Sequence, residues 1–287
     1  MRNSWKPEAI LLGTDFSKAS QAAADIAQCL ALQYGVELLI IHVFSYIAHH
    51  RYAAPVAWMV SELRKRAGQQ LDEMKQRLSV PGCSVKTIMV DADTSPVFHL
   101  LEVSSKKKNS ILVLGTHSKD GLDRFFLGST AEAVLRGTSS PVITVGPEVS
   151  KRDRPQELKK VLLATDLTER SLAPAERMGS LLKDDTELTV LYVSKPDEAI
   201  IGEEWKKSIG ERLRETLGLD PRDKRLRFEH RIGTEIALRV SEFAKEEETD
   251  LLLIGMHRGK AVTTHLHPKT GFQIIMSAPC PVYSVCT

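Results

Sequence analysis

The chain has 287 residues, 42% of them hydrophobic, enough to bury one large core or two medium ones. Its formal net charge of +2 is too small to imply general nucleic-acid binding. Cys29, Cys83, Cys280 and Cys286 form no C-x-x-C pair, no apolar run approaches the ~20 residues of a membrane helix, and MRNSWKPEAI has no secretion-like stretch, which together predict ordinary thiols in a cytoplasmic protein.

In chain order, residues 8–13 read as a strand, 17–34 as an amphipathic helix and 36–44 as a second strand. Tyr46–Met59 follows, a long aromatic insertion that suits packing on its own domain, a lid or a protomer contact. A helix over 57–79 comes next, then strand 84–90, helix 95–107, strand 110–115, helix 129–137 and strand 141–145. Lys106–Lys108 ends one predicted helix, where cations suit the dipole and solvent.

The segment Gly115–Ser129, GTHSKDGLDRFFLGS, leaves the apolar run Ile111–Leu114 and ends at a predicted helix start. Strand, glycine-bearing loop and helix is a layout that wraps a phosphate chain, because amides point inward and the helix N-terminus favours an anion. Ser129 and Glu132 spell S-x-x-E, which predicts a capping box; Ser129 has the alternative of offering its hydroxyl to phosphate. His117 has no identifiable carboxylate partner and reads as a structural or solvent-edge histidine.

The second half repeats the first. Leu11–Ser17 matches Leu162–Thr168, Ile41–Val43 matches Leu191–Val193, Ile111–Ser118 matches Leu251–Arg258, and Ser140–Val145 matches Cys280–Val285. Order and separation are kept, so the chain reads as two copies of one domain, 1–150 and 155–287, joined by a polar, proline-flanked linker. The second set of elements is predicted at 159–164, 168–183, 186–193, 202–217, 225–230, 234–247, 250–255, 270–277 and 281–285. Short apolar strands alternating with helices predict an α/β fold of doubly wound parallel sheets, with ligands at the strand carboxyl ends.

The copies diverge at the loop. Gly255-Met256-His257-Arg258 is followed by GKAVTTHLH and Pro268-Lys269, so arginine and Pro-Lys stand where the first half has Ser118 and Gly128-Ser129. Proline removes a backbone donor at that point. Thr270 and Gln273 still mark a helix start. The reading is a degenerate copy kept for structure; Arg258, Lys260 and Lys269 facing another anion is the alternative, and His257, His265 and His267 without a carboxylate or cysteine make a poor metal set.

Taken together, T-D-F-S at Thr14–Ser17, His42-Val43, G-T-H at Gly115–His117, Gly128-Ser129 and P-V-I-T-V at Pro141–Val145 resemble the universal stress protein family, in its tandem two-domain form. The resemblance implies two five-stranded parallel sheets of flavodoxin/Rossmann-like order 3-2-1-4-5, paired through the last strands, 141–145 and 281–285, as an intramolecular pseudo-dimer. ATP-binding members carry G-x2-G-x9-G-[ST]; here the outer glycine and the G-S pair match and the middle glycine is Ser118. By that resemblance Asp15 and Val43 select the nucleoside, and Gly115, Ser118, Gly128, Ser129 and Thr130 form the phosphate cradle. Asp15 has a competing use as a helix-capping residue.

Three functions follow as expectations. The first is a stress-response regulator holding ATP in the first domain only, with Mg2+ bridging the phosphates and an unidentified protein partner or second copy reading the state. The second is a nucleotide-independent interaction module. The third is a slow ATP hydrolase; neither a GxxxxGK[ST] loop, nor an S-G-G-x-D-S loop, nor a placed general base supports a dedicated enzyme.

Overall fold

In the computed structural model, the residues described are 5–45, 57–92, 95–107, 109–116, 127–146, 148–149, 157–178, 185–197, 204–220, 223–256 and 270–286. Residues 46–56 of the insertion Tyr46–Met59, the loop residues His117 and Ser118, and the second-half positions His257, Arg258, Lys260, His265, His267, Pro268 and Lys269 lie outside them.

The first strand, β1 (Ala9–Gly13), is buried at every residue because both faces of the sheet are covered. Helix α1 (Lys18–Tyr34) starts on the Ser17 side chain, which accepts from the Ser20 amide, and stops at Gly35 in the left-handed conformation. There follow β2 (Glu37–Ser45), α2 (Ala57–Leu78), β3 (Val85–Ala92), α3 (Pro96–Lys106), β4 (Ser110–Gly115), α4 (Ser129–Gly137) and β5 (Val142–Val145). The second half runs β6 (Lys160–Thr165), α5 (Glu169–Met178), β7 (Glu187–Ser194), α6 (Glu204–Leu217), β8 (Leu226–Ile232), α7 (Ile236–Glu246), β9 (Leu251–Met256), α8 (Thr270–Ser277) and β10 (Val282–Cys286).

All strands join one ten-stranded sheet in the order β3-β2-β1-β4-β5-β10-β9-β6-β7-β8. Each half is parallel with order 3-2-1-4-5, as expected, but the two five-stranded units are not separate sheets. β5 and β10 pair antiparallel, with Ile143 opposite Tyr283, Thr144 opposite Val282 and Val142 opposite Ser284. Ile143 and Tyr283 are equivalent in the repeat, so the pseudo-twofold axis passes between them. The halves form a pseudo-dimer within one chain, joined through the last strands as the family resemblance implies.

Strand alternation sorts the core into two layers, one on each face, and both layers cross the seam. Ile10, Leu12, Ile143, Leu163 and Tyr283 share one layer. Leu11, Leu112, Val142, Leu162 and Val282 share the other, which α3, α4, α7 and α8 cover. The four cysteines are buried and unbridged.

One local expectation is corrected, and another is only partly covered by the described residues. Gly128, not Ser129, is the N-cap of α4, and among the described residues no side chain caps that helix; the Glu132 amide bonds to the Gly128 carbonyl at 3.0 Å. Glu132 does not reach back because Arg136, four residues on, takes its Oε1 through Nε at 3.0 Å and Nη2 at 2.8 Å. The described part of α5 spans Glu169–Met178 with Pro174 inside it, and the predicted remainder to 183 lies outside the described residues.

Candidate functional site

At the carboxyl ends of β1, β2 and β4 a cleft of about 790 Å³, part of it open to solvent, lies where the strand order reverses. Its wall brings together Asp15, Val43, Gly115, Gly128, Ser129 and Thr130, six of the seven residues singled out in the sequence. Ser118, the seventh, lies outside the described residues. Sequence reasoning missed most of the apolar lining, Ile41, Pro96, Leu100 and Leu114, and also Ser20 and Ala131.

The turn after β1 is tightly wired. Phe16 takes the left-handed conformation at φ 63°, held by its amide donating to Thr14 Oγ1 at 3.1 Å. The Ser17 amide donates to Asp15 Oδ1 at 2.9 Å, and Thr14 Oγ1 donates to Ser20 Oγ at 3.1 Å. The second half repeats this wiring. Leu167 sits at φ 66°, its amide donates to Thr165 Oγ1 at 2.9 Å, the Thr168 amide donates to Asp166 Oδ1 at 3.0 Å, and Thr165 and Ser171 share a 2.6 Å hydroxyl pair. Burial pushes the Asp166 carboxyl up, but hydrogen bonds from the Thr168 hydroxyl and amide outweigh it and hold the group below its usual value. One oxygen of the aspartate thus has the same turn-building use in both halves.

His42 Nδ1 lies 2.8 Å from the Thr14 carbonyl oxygen. A carbonyl only accepts, so Nδ1 carries the hydrogen. The ring rests on Phe16, with centroids 4.4 Å apart, and so braces the strained turn from β2.

One end of the cleft is built by the start of α4. The first-turn amides of Ser129, Thr130 and Ala131 have no carbonyl four residues back inside the helix, and all three residues line the cleft. The dipole of α4 adds partial positive charge there. Gly128 works differently from expectation: its amide is spent on the Thr116 carbonyl at 2.6 Å. A Cβ on Gly128 would stand 2.8 Å from that same oxygen, so the glycine lets the chain return against β4. Gly115 is also a packing glycine, because a Cβ there would stand 2.6 Å from the Ala19 carbonyl carbon in α1.

The equivalent positions of the second half carry more bulk. Ala164 stands for Gly13, whose own added Cβ would lie 2.5 Å from Leu114 Cδ2. Met256 stands for Thr116, with its Cε 3.5 Å from where Gly271 would bear a Cβ. Tyr192 stands for His42 and stacks on His230 at 5.3 Å. Among the described residues no cluster of three His, Cys, Asp or Glu side chains is placed to hold a metal, and no helix is long and apolar enough to cross a membrane.

Comparison with known proteins agrees with this architecture. A universal stress protein from Methanocaldococcus jannaschii is 33% identical over 138 residues, covering 47% of this chain and 80% of that one. Universal stress protein YxiE of Bacillus subtilis is 26% identical over 149 residues, 47% of this chain and 97% of its own. The crystal structure of a universal stress protein from Archaeoglobus fulgidus superposes with a TM-score of 0.76 at 20% identity, covering 99% of this chain and 98% of that chain, which bears on the fold alone. The profile of the universal stress protein family matches residues 7–146 and again 157–285, so the chain belongs to that family, with two of its domains in tandem.

Proposed function

We propose that the first half, read as a domain over 1–150, binds an adenine nucleotide, ATP by the family's habit, and acts as a nucleotide-dependent regulator of stress responses. The observation that carries this reading is the cleft at the strand-order reversal, with first-turn amides of Ser129–Ala131 at one end and Asp15 and Val43 at the other. Ile41, Leu100 and Leu114 give an apolar wall suited to a purine, and the hydroxyls of Ser20, Ser129 and Thr130 supply polar contacts. The single carboxylate of the described lining, Asp15, is half committed to its turn. That donor set fits a Mg2+ that arrives on the phosphates and keeps its waters. It also favours holding the nucleotide over turning it over, since Asp15 belongs to the nucleoside end in this reading.

For the second half, over 155–287, the reading is a module kept for structure and interaction, because Ala164 and Met256 stand where the first half has Gly13 and Thr116, and Pro268-Lys269 stands where it has Gly128-Ser129.

The test is titration calorimetry with Mg-ATP, together with chromatography of the nucleotide released by heat. The informative variant is Ser129→Asp. Its carboxylate lands in the first turn of α4, where it suits the dipole and preserves stability, yet it opposes a phosphate. Binding weaker by at least about tenfold with an unchanged melting temperature is expected. Gly128→Asp is a poorer test, because its Cβ strikes the Thr116 carbonyl whether or not a phosphate is present. Asp166→Asn serves as the second-half control and leaves affinity unchanged. Unaltered binding in Ser129→Asp, or absence of any adenine nucleotide binding, refutes the assignment.

A further inference from the structure

The helix that borders the first cleft also reaches across the seam. Its start, Ser129–Ala131, forms cleft wall. One turn on, Glu132 holds the Arg136 guanidinium through two hydrogen bonds to one oxygen. That guanidinium lies over the ring of Phe272, its central carbon 4.7 Å from the centroid. Phe272 is the third residue of α8, only 7% exposed, and packs in the core layer that also holds Ile254 and Met256. The far end of α4 is fastened as well: the Cys286 thiol, at the end of β10, donates to the Leu135 carbonyl at 3.0 Å. A nine-residue helix with Val134 and Leu135 buried therefore has one end in the cleft and the other gripped by the second half.

The repeat shows that this link is built once. The position of Glu132 is Phe272 in the second half, and that of Arg136 is Met276. The ion pair sits on α4 and the aromatic face on α8, with no matching pair on α8 pointing back.

We propose that α4 makes the second half the reporter of the first cleft. A ligand on the Ser129–Ala131 amides steadies the start of α4, and Arg136 against Phe272 passes that ordering to the first turn of α8. The proposal rests on the nucleotide reading of the cleft. It needs no change of shape, because ordering one element lowers the cost of ordering the next. By linkage, whatever binds and steadies α8 tightens the nucleotide by the same factor.

Hydrogen exchange by mass spectrometry on the full-length protein, with and without Mg-ATP, tests it. Peptides covering 127–137 and 270–277 are expected to exchange more slowly together, the second by about two- to fivefold, the worth of one partly exposed cation–π contact. Phe272→Leu keeps the burial and removes the ring face; Arg136→Gln removes the charge at a half-exposed position that tolerates it. Both variants should keep the slowing at 127–137 and lose it at 270–277. Slowing at 127–137 with none at 270–277 in the parent protein overturns the relay and leaves the nucleotide reading standing. Slowing at 270–277 that persists in both variants overturns the Arg136–Phe272 link. If neither peptide responds, the nucleotide reading falls and the relay falls with it.

Discussion

Replacing Gly115 by alanine places a methyl group 2.6 Å from the Ala19 carbonyl carbon and 2.8 Å from the Ser20 nitrogen. Both are backbone atoms near the start of α1, so no side chain can swing aside. To regain ordinary contact near 3.4 Å, α1 must retreat by roughly 0.8 Å. That retreat loosens Ala23, Ala24, Ile26 and Ala27, all essentially fully buried against the sheet. Overpacking of this kind costs about 1–3 kcal/mol, and the backbone contact puts Gly115→Ala at the upper end. Gly255→Ala meets the same obstacle, 2.5 Å from the Arg170 carbonyl oxygen and 2.7 Å from Ser171 Cα in α5. Urea unfolding followed by far-UV circular dichroism should therefore show about 2–3 kcal/mol lost in each variant. The losses should add within about 0.5 kcal/mol in the double variant, because the two contacts share no partner. If Gly255→Ala matches the parent while Gly115→Ala does not, close helix–strand approach is the wrong explanation and the glycine serves the ligand instead.

Other perturbations probe the seam, a helix end and the surface charges. Tyr283 is fully buried and its hydroxyl has no hydrogen-bond partner among the described residues, and burial also drives its ionisation well above the ordinary range, so Tyr283→Phe should raise stability by about 1 kcal/mol in the same urea assay; a loss there would mean the hydroxyl is satisfied in solution. Glu248 closes α7 at φ 53°, with the Thr249 amide bonded to the Ala244 carbonyl at 2.9 Å, so Glu248→Gly should stabilise by about 0.5–1 kcal/mol, and a lower melting temperature would count against the strain argument. The Arg64 side chain grips Asp91 on edge strand β3 through two hydrogen bonds, at 2.7 and 2.9 Å, which hold that carboxyl below its ordinary value of 3.8. A lowered carboxylate contributes stability above the unfolded value and loses it as pH falls through the folded one. The gap in urea midpoint between the parent and Arg64→Met should then be constant at neutral pH and close below about pH 4; a gap that persists at pH 2 refutes the pair as its source.

Much of the architecture could be read from the residues because apolar runs such as Ile111–Leu114 and Leu251–Ile254 leave few alternatives to buried parallel strands. The repeat then fixed the order of elements twice over, and the family resemblance pointed to the last strands as the seam. What escaped was geometry without a side-chain signature. The three amides of α4 look the same whatever residues bear them, so Ala131 carried no signal. Leu100 and Leu114 read as core and line the cleft from the core's edge. The S-x-x-E pattern misled because a second partner for Glu132 stood four residues on, and an exposed i, i+4 pair won over a reach back to the cap. The left-handed turn at Phe16 was unannounced by phenylalanine, although its Thr-Asp-x-Ser frame recurs as Thr-Asp-x-Thr at Thr165–Thr168 with the same left-handed third residue.

That recurrence separates what the fold requires from what a ligand requires. Asp166 and Gly255 persist in a half whose cleft positions hold Ala164 and Met256, and each has a structural use there: an amide accepted, a helix admitted. Their first-half equivalents, Asp15 and Gly115, therefore count little toward nucleotide binding even though they lie in the cleft. The weight shifts to positions that differ between the halves. In the nucleotide reading these are Gly13 against Ala164 and Thr116 against Met256 in the cleft wall, and Gly128-Ser129 against Pro268-Lys269 in the sequence before the helix, where proline has no amide to give. Swapping the structural pair should cost stability in either half alike, whereas Gly13→Ala should cost ligand affinity in the first half with little change in folding if Leu114 yields at its flexible end. Should Gly13→Ala bind Mg-ATP as the parent does, the space beside Leu114 and Leu100 is not where the ligand sits, and the distinction between the halves must lie in the loop alone.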